Sequence, residues 1–415
     1  MMGTPMPDRP APIDRPWLNA HRVRAQAITL AICLWGVYAW VLATPGLRDR
    51  NHLIKGTDFL HFYTLGSVAL AHRGDLLYNL PEQSALLAER VPEAAGTRYL
   101  PLYPPQVSLL FAPLAKLPYP VALALWWGVT VAIYALCVAA VWRNCPSLRA
   151  FRGTVLLLAI AYPAFFHLIA WGQTSALALA CFTAAYSLFR SNRPFAAGLA
   201  LGCLAFKPQL AIAAAVVFLC SRAWTLVLGA LLTASAQFLV GWVYYGTTAV
   251  RDYFAHLAQV PQVTTLLEPR LYQTHSLRSF WEMILPWLTA AFVLYLITAI
   301  VVLILTGRLW LSRQPLSLRY SALLLATVLV SPHLTVYDLV ILAPALLLLS
   351  DWLLEHPEGT SRVSIAFTCY LVYLLPLIGP LARWTHVQFS VLAMAALLGM
   401  LARIPAQITI EQGTS

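Results

Sequence analysis

The sequence predicts an all-α, polytopic membrane protein, a bundle of about twelve transmembrane helices with a long first extracytoplasmic loop that carries short amphipathic helices. Three observations lead there. Of 415 residues, 60% are hydrophobic and 10% charged, too little polar surface for a fold bathed in water on all sides. The apolar residues form continuous Leu/Ala/Val/Ile runs rather than the alternating pattern of a barrel, and many approach the roughly twenty residues a helix needs to cross a hydrocarbon core. The arginines stand in short breaks between those runs, where they set orientation.

The elements follow in chain order. Residues 1–20, rich in Pro, Asp and Arg, read as a disordered cytoplasmic tail. The basic run His21, Arg22 and Arg24 precedes an apolar segment at 25–44 that is too long for a signal sequence and lacks a small-residue cleavage site, so an uncleaved first span is expected. Its positive flank places the N-terminus in the cytoplasm. The most polar stretch, 46–105, then lies outside, with short helices expected on the membrane surface at Phe59 to Arg73 and Glu82 to Arg90. The half-length piece Val107 to Leu117 is expected to re-enter or lie flat.

Further spans are expected at 120–142, 153–171, 174–189, 195–206, 208–220, 223–244, 283–306, 316–331, 335–352, 361–379 and 387–403. With these, Arg143, Arg149, Arg152, Arg190, Arg193, Arg222, Arg308, Arg313, Arg319, Arg362 and Arg403 all fall on the cytoplasmic side. Residues 21–404 then form one transmembrane domain with a second long outer loop at 246–281, and 405–415 form a cytoplasmic tail. The runs 195–206 and 208–220 are too short to cross fully, so Lys207-Pro208 is expected to turn within the membrane.

The net charge of +11 does not point to nucleic acid, because it is spread over topology-setting breaks. Six of the seven cysteines lie in apolar runs, with no C-x-x-C pair, so neither a disulfide framework nor a zinc site is indicated. No cofactor and no metal site is expected: Walker A, G-x-G-x-x-G, H-E-x-x-H, G-x-S-x-G and D-x-D signatures are absent.

The chemistry-bearing candidates sit in the breaks that this topology sends to the outer face. An ionisable group at a helix centre costs roughly 2.5–3.5 kcal/mol on insertion scales, which makes each one a functional candidate. Asp58, in Lys55-Gly56-Thr57-Asp58-Phe59, suits a general base for a sugar hydroxyl or an N-cap. Lys207, with no acid adjacent in sequence, suits a ligand phosphate or snorkels to the interface. His333 opens the tenth span and can donate to a phosphate, with Tyr337 one helical turn on. For Asp338 a structural role is expected, paired with an Arg or bonded to backbone near a helix start. Gln173, His275, Arg278 and Tyr103 complete the candidates, the first three as hydrogen-bonding groups for sugar hydroxyls; Tyr103-Pro104-Pro105 is expected first to stiffen the end of the loop.

Taken in order, Gly56-Thr57-Asp58, Gly74-Asp75-Leu76-Leu77-Tyr78, Tyr103-Pro104-Pro105, Pro113-Leu114-Ala115, Gly172-Gln173-Thr174-Ser175, Phe206-Lys207-Pro208-Gln209, Gln273 to Ser276 and Ser331-Pro332-His333 resemble glycosyltransferase family 87, over roughly residues 30 to 345. The family comprises polyprenyl-phosphate-mannose-dependent mannosyltransferases of the GT-C fold. The resemblance implies an inverting transferase in the cell's inner (plasma) membrane, and the arginine pattern with twelve spans places both termini in the cytoplasm. The transferase would carry mannose or another hexose from a polyprenyl-phosphate donor to a glycolipid or glycan acceptor on the extracytoplasmic face. Asp58 matches the family's base, and Lys207 and His333 match groups that would steady the donor phosphate. The stretch Leu334-Thr335-Val336-Tyr337-Asp338 departs from a more histidine-rich family version, so the sugar need not be mannose.

Two other classes fit parts of the pattern. A secondary transporter would need access from both faces and often shows repeated halves, which are not visible here. A non-catalytic envelope-assembly protein would make Asp58, Lys207 and His333 a cap, a snorkel and a packed histidine.

Overall fold

In lipid, each backbone N–H and C=O has to be bonded within its own segment or a closed barrel, and the computed structural model accordingly is built of helices. It describes residues 19–259, 270–356 and 360–405. The expected tails therefore lie outside the described residues apart from Asn19, Ala20 and Pro405, as do residues 260–269 of the second long loop.

The helices are α1 (Ala20–Leu42), α2 (Thr57–Leu70), α3 (Leu80–Arg90), α4 (Gln106–Ala115), α5 (Tyr119–Trp142), α6 (Arg152–Ile160), α7 (Pro163–Trp171), α8 (Ser175–Arg190) and α9 (Pro194–Gly202). They continue with α10 (Ile212–Cys220), α11 (Trp224–Gln259), α12 (Leu277–Ile284), α13 (Leu288–Leu311), α14 (Leu316–Val330), α15 (Ala343–Glu355), α16 (Thr360–Leu374), α17 (Ala382–Thr385) and α18 (Phe389–Leu401). Short 3-10 turns, among them Cys203–Phe206, Pro208–Ala211 and Val336–Leu342, extend several of these.

Each predicted run is helical over most of its length, but only about half are long enough to cross. Among the described residues six helices have the length and apolarity for a span, or seven if Ser147–Ile160 and Pro163–Trp171, bent by 41°, count as one. The others, including α8, α14 and α18, belong to apolar helices of 10–17 residues. The short α14 is a core element rather than a lipid-facing one. Its 15 residues reach about 22 Å at 1.5 Å per residue, and twelve of them are buried, Tyr320 to Val330 without interruption. A helix apolar on every face is stable where other helices surround it.

The same reasoning corrects the expectation for the first loop. The helix expected to lie on the membrane surface is α2, and every residue from Phe59 to Ala69 is buried. Phe59, Leu60, Phe62, Leu65 and Val68 cover all sides of it, so no polar face is left for water or headgroups. Phe62 stacks on Phe111 of α4 at 4.9 Å, and Phe59 on Trp126 of α5 at 6.1 Å. Of the two loop helices, α3 keeps an exposed polar side, with Glu82 and Glu89 exposed, while Arg90 at its end turns back to donate to the Tyr63 hydroxyl and the Ala115 carbonyl.

Close helix contacts are made through small residues, as is usual where lipid offers no hydrophobic drive to associate. A Cβ on Gly198 would lie 2.0 Å from the Leu226 carbonyl oxygen, and one on Gly202 2.3 Å from that of Ala230, so α9 and α11 meet backbone to backbone. Glycine is obligatory at both places.

The contacts divide the bundle into two poles. At one, Tyr119 at the start of α5 donates to the carbonyl oxygens of Lys55 and Gly56. At the other, beyond the end of α5, the Asp351 carboxylate accepts from the Ser147 and Leu148 N–H groups at 2.8 and 3.2 Å. Likewise α8 begins with Ser175 near the first pole and ends with Arg190 at the second, where Phe189, Phe218 and Trp310 pack together. Arg143, Arg149 and Arg190 thus gather opposite the pole that carries Asp58.

Candidate active site

Two glycines in left-handed backbone bring the first pair of functional side chains together. Gly56 (φ +66°) precedes α2, and Gly172 (φ +70°) closes α7. They face each other: a Cβ on Gly172 would lie 2.7 Å from the Phe59 Cβ and 3.6 Å from the Gly56 Cα. Trp126 donates to the Gly172 carbonyl at 3.0 Å, and Tyr99 to that of Thr57 at 2.5 Å. The chain is therefore held on both sides of the approach. One residue beyond Gly172 and two beyond Gly56, Gln173 Nε2 donates to Asp58 Oδ2 at 2.6 Å.

This geometry removes one of the two sequence readings of Asp58. The N-cap of α2 is Gly56, no side chain caps the helix, and Asp58 stands inside the first turn. Its carboxyl is raised to about 6, chiefly because burial penalises the charge; the Gln173 hydrogen bond and Lys207 oppose this, and Asp338 adds to it. A carboxylate poised there is suited to take a proton near neutral pH.

The second pair is Lys207 and Asp338. Lys207 occupies the turn between the 3-10 segments Cys203–Phe206 and Pro208–Ala211, inside the bundle and only 4% exposed. Its ammonium donates to Asp338 Oδ1 at 2.8 Å and to Ser175 Oγ at 3.2 Å, and sits 5.3 Å from the Tyr337 ring centroid. Asp338 also accepts from Ser175 Oγ at 2.5 Å and, through Oδ2, from the N–H and hydroxyl of Thr335 at 3.3 Å.

One expectation is corrected here, and another holds in one of its two forms. Lys207 is not a lone cation awaiting a ligand: Asp338 neutralises it from 131 residues away in sequence. Asp338 does bond backbone at a helix start, but its cationic partner is Lys207 and not an arginine. A buried charge without a partner is costly, so two opposite charges in apolar runs find each other.

Of the candidates, Asp58, Gln173, Lys207, Tyr103, Tyr337 and His333 gather around these pairs. Tyr103 is near enough to Lys207, Asp338 and Asp58 to feel their charges, and His333 acts on Asp338 in the same way. His275 and Arg278 are used differently. His275 is 1% exposed and shares a 2.7 Å hydrogen bond with Ser390, fastening the second loop to α18. Arg278 pairs with Glu282 at 2.8 Å and donates to the Pro332 carbonyl at 3.2 Å, supporting the turn before His333. Sequence reasoning missed Ser175, whose hydroxyl links both members of the ion pair. The only signal for it was its place at the start of a helix directly after Gln173. Among the described residues no three His, Cys, Asp or Glu side chains come together as a metal site.

A family model described as glycosyltransferase family 87 matches residues 102–332, which takes in Gln173 and Lys207 and ends one residue before His333. No curated protein matches the chain, and no solved structure does. Matched over more than half of its length, the chain belongs to glycosyltransferase family 87 and is a membrane glycosyltransferase.

Proposed function

We propose that the protein transfers a sugar, mannose or another hexose, from a polyprenyl-phosphate donor to a hydroxyl of a lipid-linked or glycan acceptor. The acceptor oxygen attacks the anomeric carbon, a new C–O bond forms, and the bond to the phosphate oxygen breaks with its electron pair. Asp58 takes the proton of the attacking hydroxyl. Lys207, held in place by Asp338 and Ser175, and His333 steady the departing phosphate. One displacement of this kind inverts the anomeric centre.

The observation that carries this reading is the juxtaposition of Asp58, raised to about 6, with the Lys207–Asp338 pair (2.8 Å) at one pole of a membrane bundle. A base and a cation close enough to feel each other's charge suit proton removal from the acceptor and stabilisation of the departing phosphate. The arginines at the opposite pole support an extracytoplasmic site in the plasma membrane by the positive-inside rule. Family membership favours an enzyme over a transporter or scaffold.

The test is to incubate membranes containing the protein with radiolabelled polyprenyl-phosphate sugars and separate the products. Label should appear in a new glycolipid or glycan with wild type and vanish with Asp58→Asn. Absence of transfer from every such donor, with folded protein, overturns the proposal.

A further inference from the structure

His61 is one turn along α2 from Asp58, at the i+3 position that shares its helix face. It is 5% exposed, and neither Nδ1 nor Nε2 has a hydrogen-bond partner. Among the described residues it is the only histidine with both ring nitrogens buried and unpartnered. Buried polar atoms in folded proteins are nearly always bonded, and each exception calls for an explanation. A phenyl ring would fill the same slot without leaving two polar atoms unsatisfied.

The surroundings of the ring narrow the explanation. Tyr99 and Tyr103 lie against it, at 5.1 and 5.7 Å between ring centroids. Both tyrosines are half-buried and belong to a stretch without helix, and the Tyr99 hydroxyl donates to the Thr57 carbonyl next to Asp58. Tyr99 also feels the charge of Asp58, and Tyr103 those of Asp58 and Lys207. The wall that covers His61 is thus a wall of the candidate active site. Burial pushes the imidazole down to about 4, which leaves it neutral, with one donor and one acceptor nitrogen. That combination matches a hydroxyl, which both gives and accepts, and adjacent aromatic rings match the apolar face of a sugar.

We propose that His61 binds the acceptor, its two ring nitrogens hydrogen-bonding hydroxyls of the acceptor sugar beside the one that Asp58 deprotonates. The identity of the ligand rests on the transferase reading; the existence of a hydroxyl-binding position does not.

The experiment compares wild type with His61→Phe and His61→Gln. Without ligand, His61→Phe should melt at the wild-type temperature or above it. In transfer assays its apparent KM for acceptor should rise tenfold or more while the donor KM stays within twofold, and His61→Gln should recover part of the loss. In parallel, thermal unfolding is measured with a panel of methyl hexosides: at least one should raise the Tm of wild type and leave that of His61→Phe unmoved. An unchanged acceptor KM, a changed donor KM alone, or a His61→Phe protein that melts several degrees lower each overturns the assignment. If wild type transfers nothing from any lipid-linked donor but shows hexoside stabilisation that His61→Phe lacks, the transferase reading fails and the His61 site stands. If no hexoside stabilises wild type and no transfer occurs, both fail.

Discussion

Replacing Asp58 by asparagine removes a charge while keeping a shape, so it separates catalysis from packing. Asparagine presents a carbonyl oxygen where the Gln173 amide now donates to Asp58 at 2.6 Å. The carboxyl stands at about 6 against an ordinary 3.8, with burial as the largest cause. Between those two values the folded chain holds a proton that the unfolded chain releases. Asp58 therefore favours the folded state most at the low end of the window. That contribution is lost as pH rises to about 6, and the cost is constant above it. Two units at 1.36 kcal/mol each are about 3 kcal/mol. Asp58 is only partly buried, so solvent screening reduces this, and about 1–3 kcal/mol is expected. The Asp58→Asn variant should thus be more stable than wild type by that amount at pH 7, with the difference closing toward pH 4. Unfolding followed by tryptophan fluorescence in detergent, from pH 4 to 8, measures it. Transfer should fall by roughly 10²–10⁴-fold, the usual worth of a general base. A variant that is less stable at pH 7, or that keeps more than a tenth of the wild-type rate, refutes the reasoning.

Three further outcomes follow from the same contacts. In Gln173→Leu the hydrogen bond that lowers the Asp58 carboxyl is gone, so the acid limb of the pH–rate profile should move above about 6; an unmoved limb argues against Asp58 as the titrating base. Lys207→Met leaves Asp338 buried without its cation, at a cost of roughly 3–5 kcal/mol. The double variant Lys207→Met/Asp338→Leu should regain much of that stability in thermal unfolding but no transfer. Gly172→Ala combines φ +70° with a Cβ 2.7 Å from that of Phe59. It should cost roughly 1–3 kcal/mol and reduce kcat more than stability, because Gln173 is displaced from Asp58.

Much of the architecture was legible in the sequence because its causes are local. An apolar run in lipid has to be a helix wherever it sits, and arginines mark the turns at one end whatever the helices do between. The breaks at Gly172 and Lys207 were visible for the same reason. The number of crossings was not, since a run such as Leu316–Val330 reads alike whether lipid or protein surrounds it. For α2 the misreading was avoidable: Phe59, Leu60, Phe62, Leu65 and Val68 occupy every side of the helix, and that pattern belongs to a core.

At the site, the sequence by itself selected Asp58, Gln173, Lys207 and His333, because ionisable and amide groups in apolar surroundings stand out from their neighbours. Only the tertiary structure decided how they are used. Lys207 and Asp338 neutralise each other across 131 residues, and Gln173 reaches Asp58 across 115. Such pairings have no trace in local composition, since the energy that selects them, the cost of an unpaired charge in a dry interior, arises only once the helices have packed. The same packing bonded His275 to Ser390 and Arg278 to Glu282, and left His61, unremarkable in sequence, with two nitrogens and no partner.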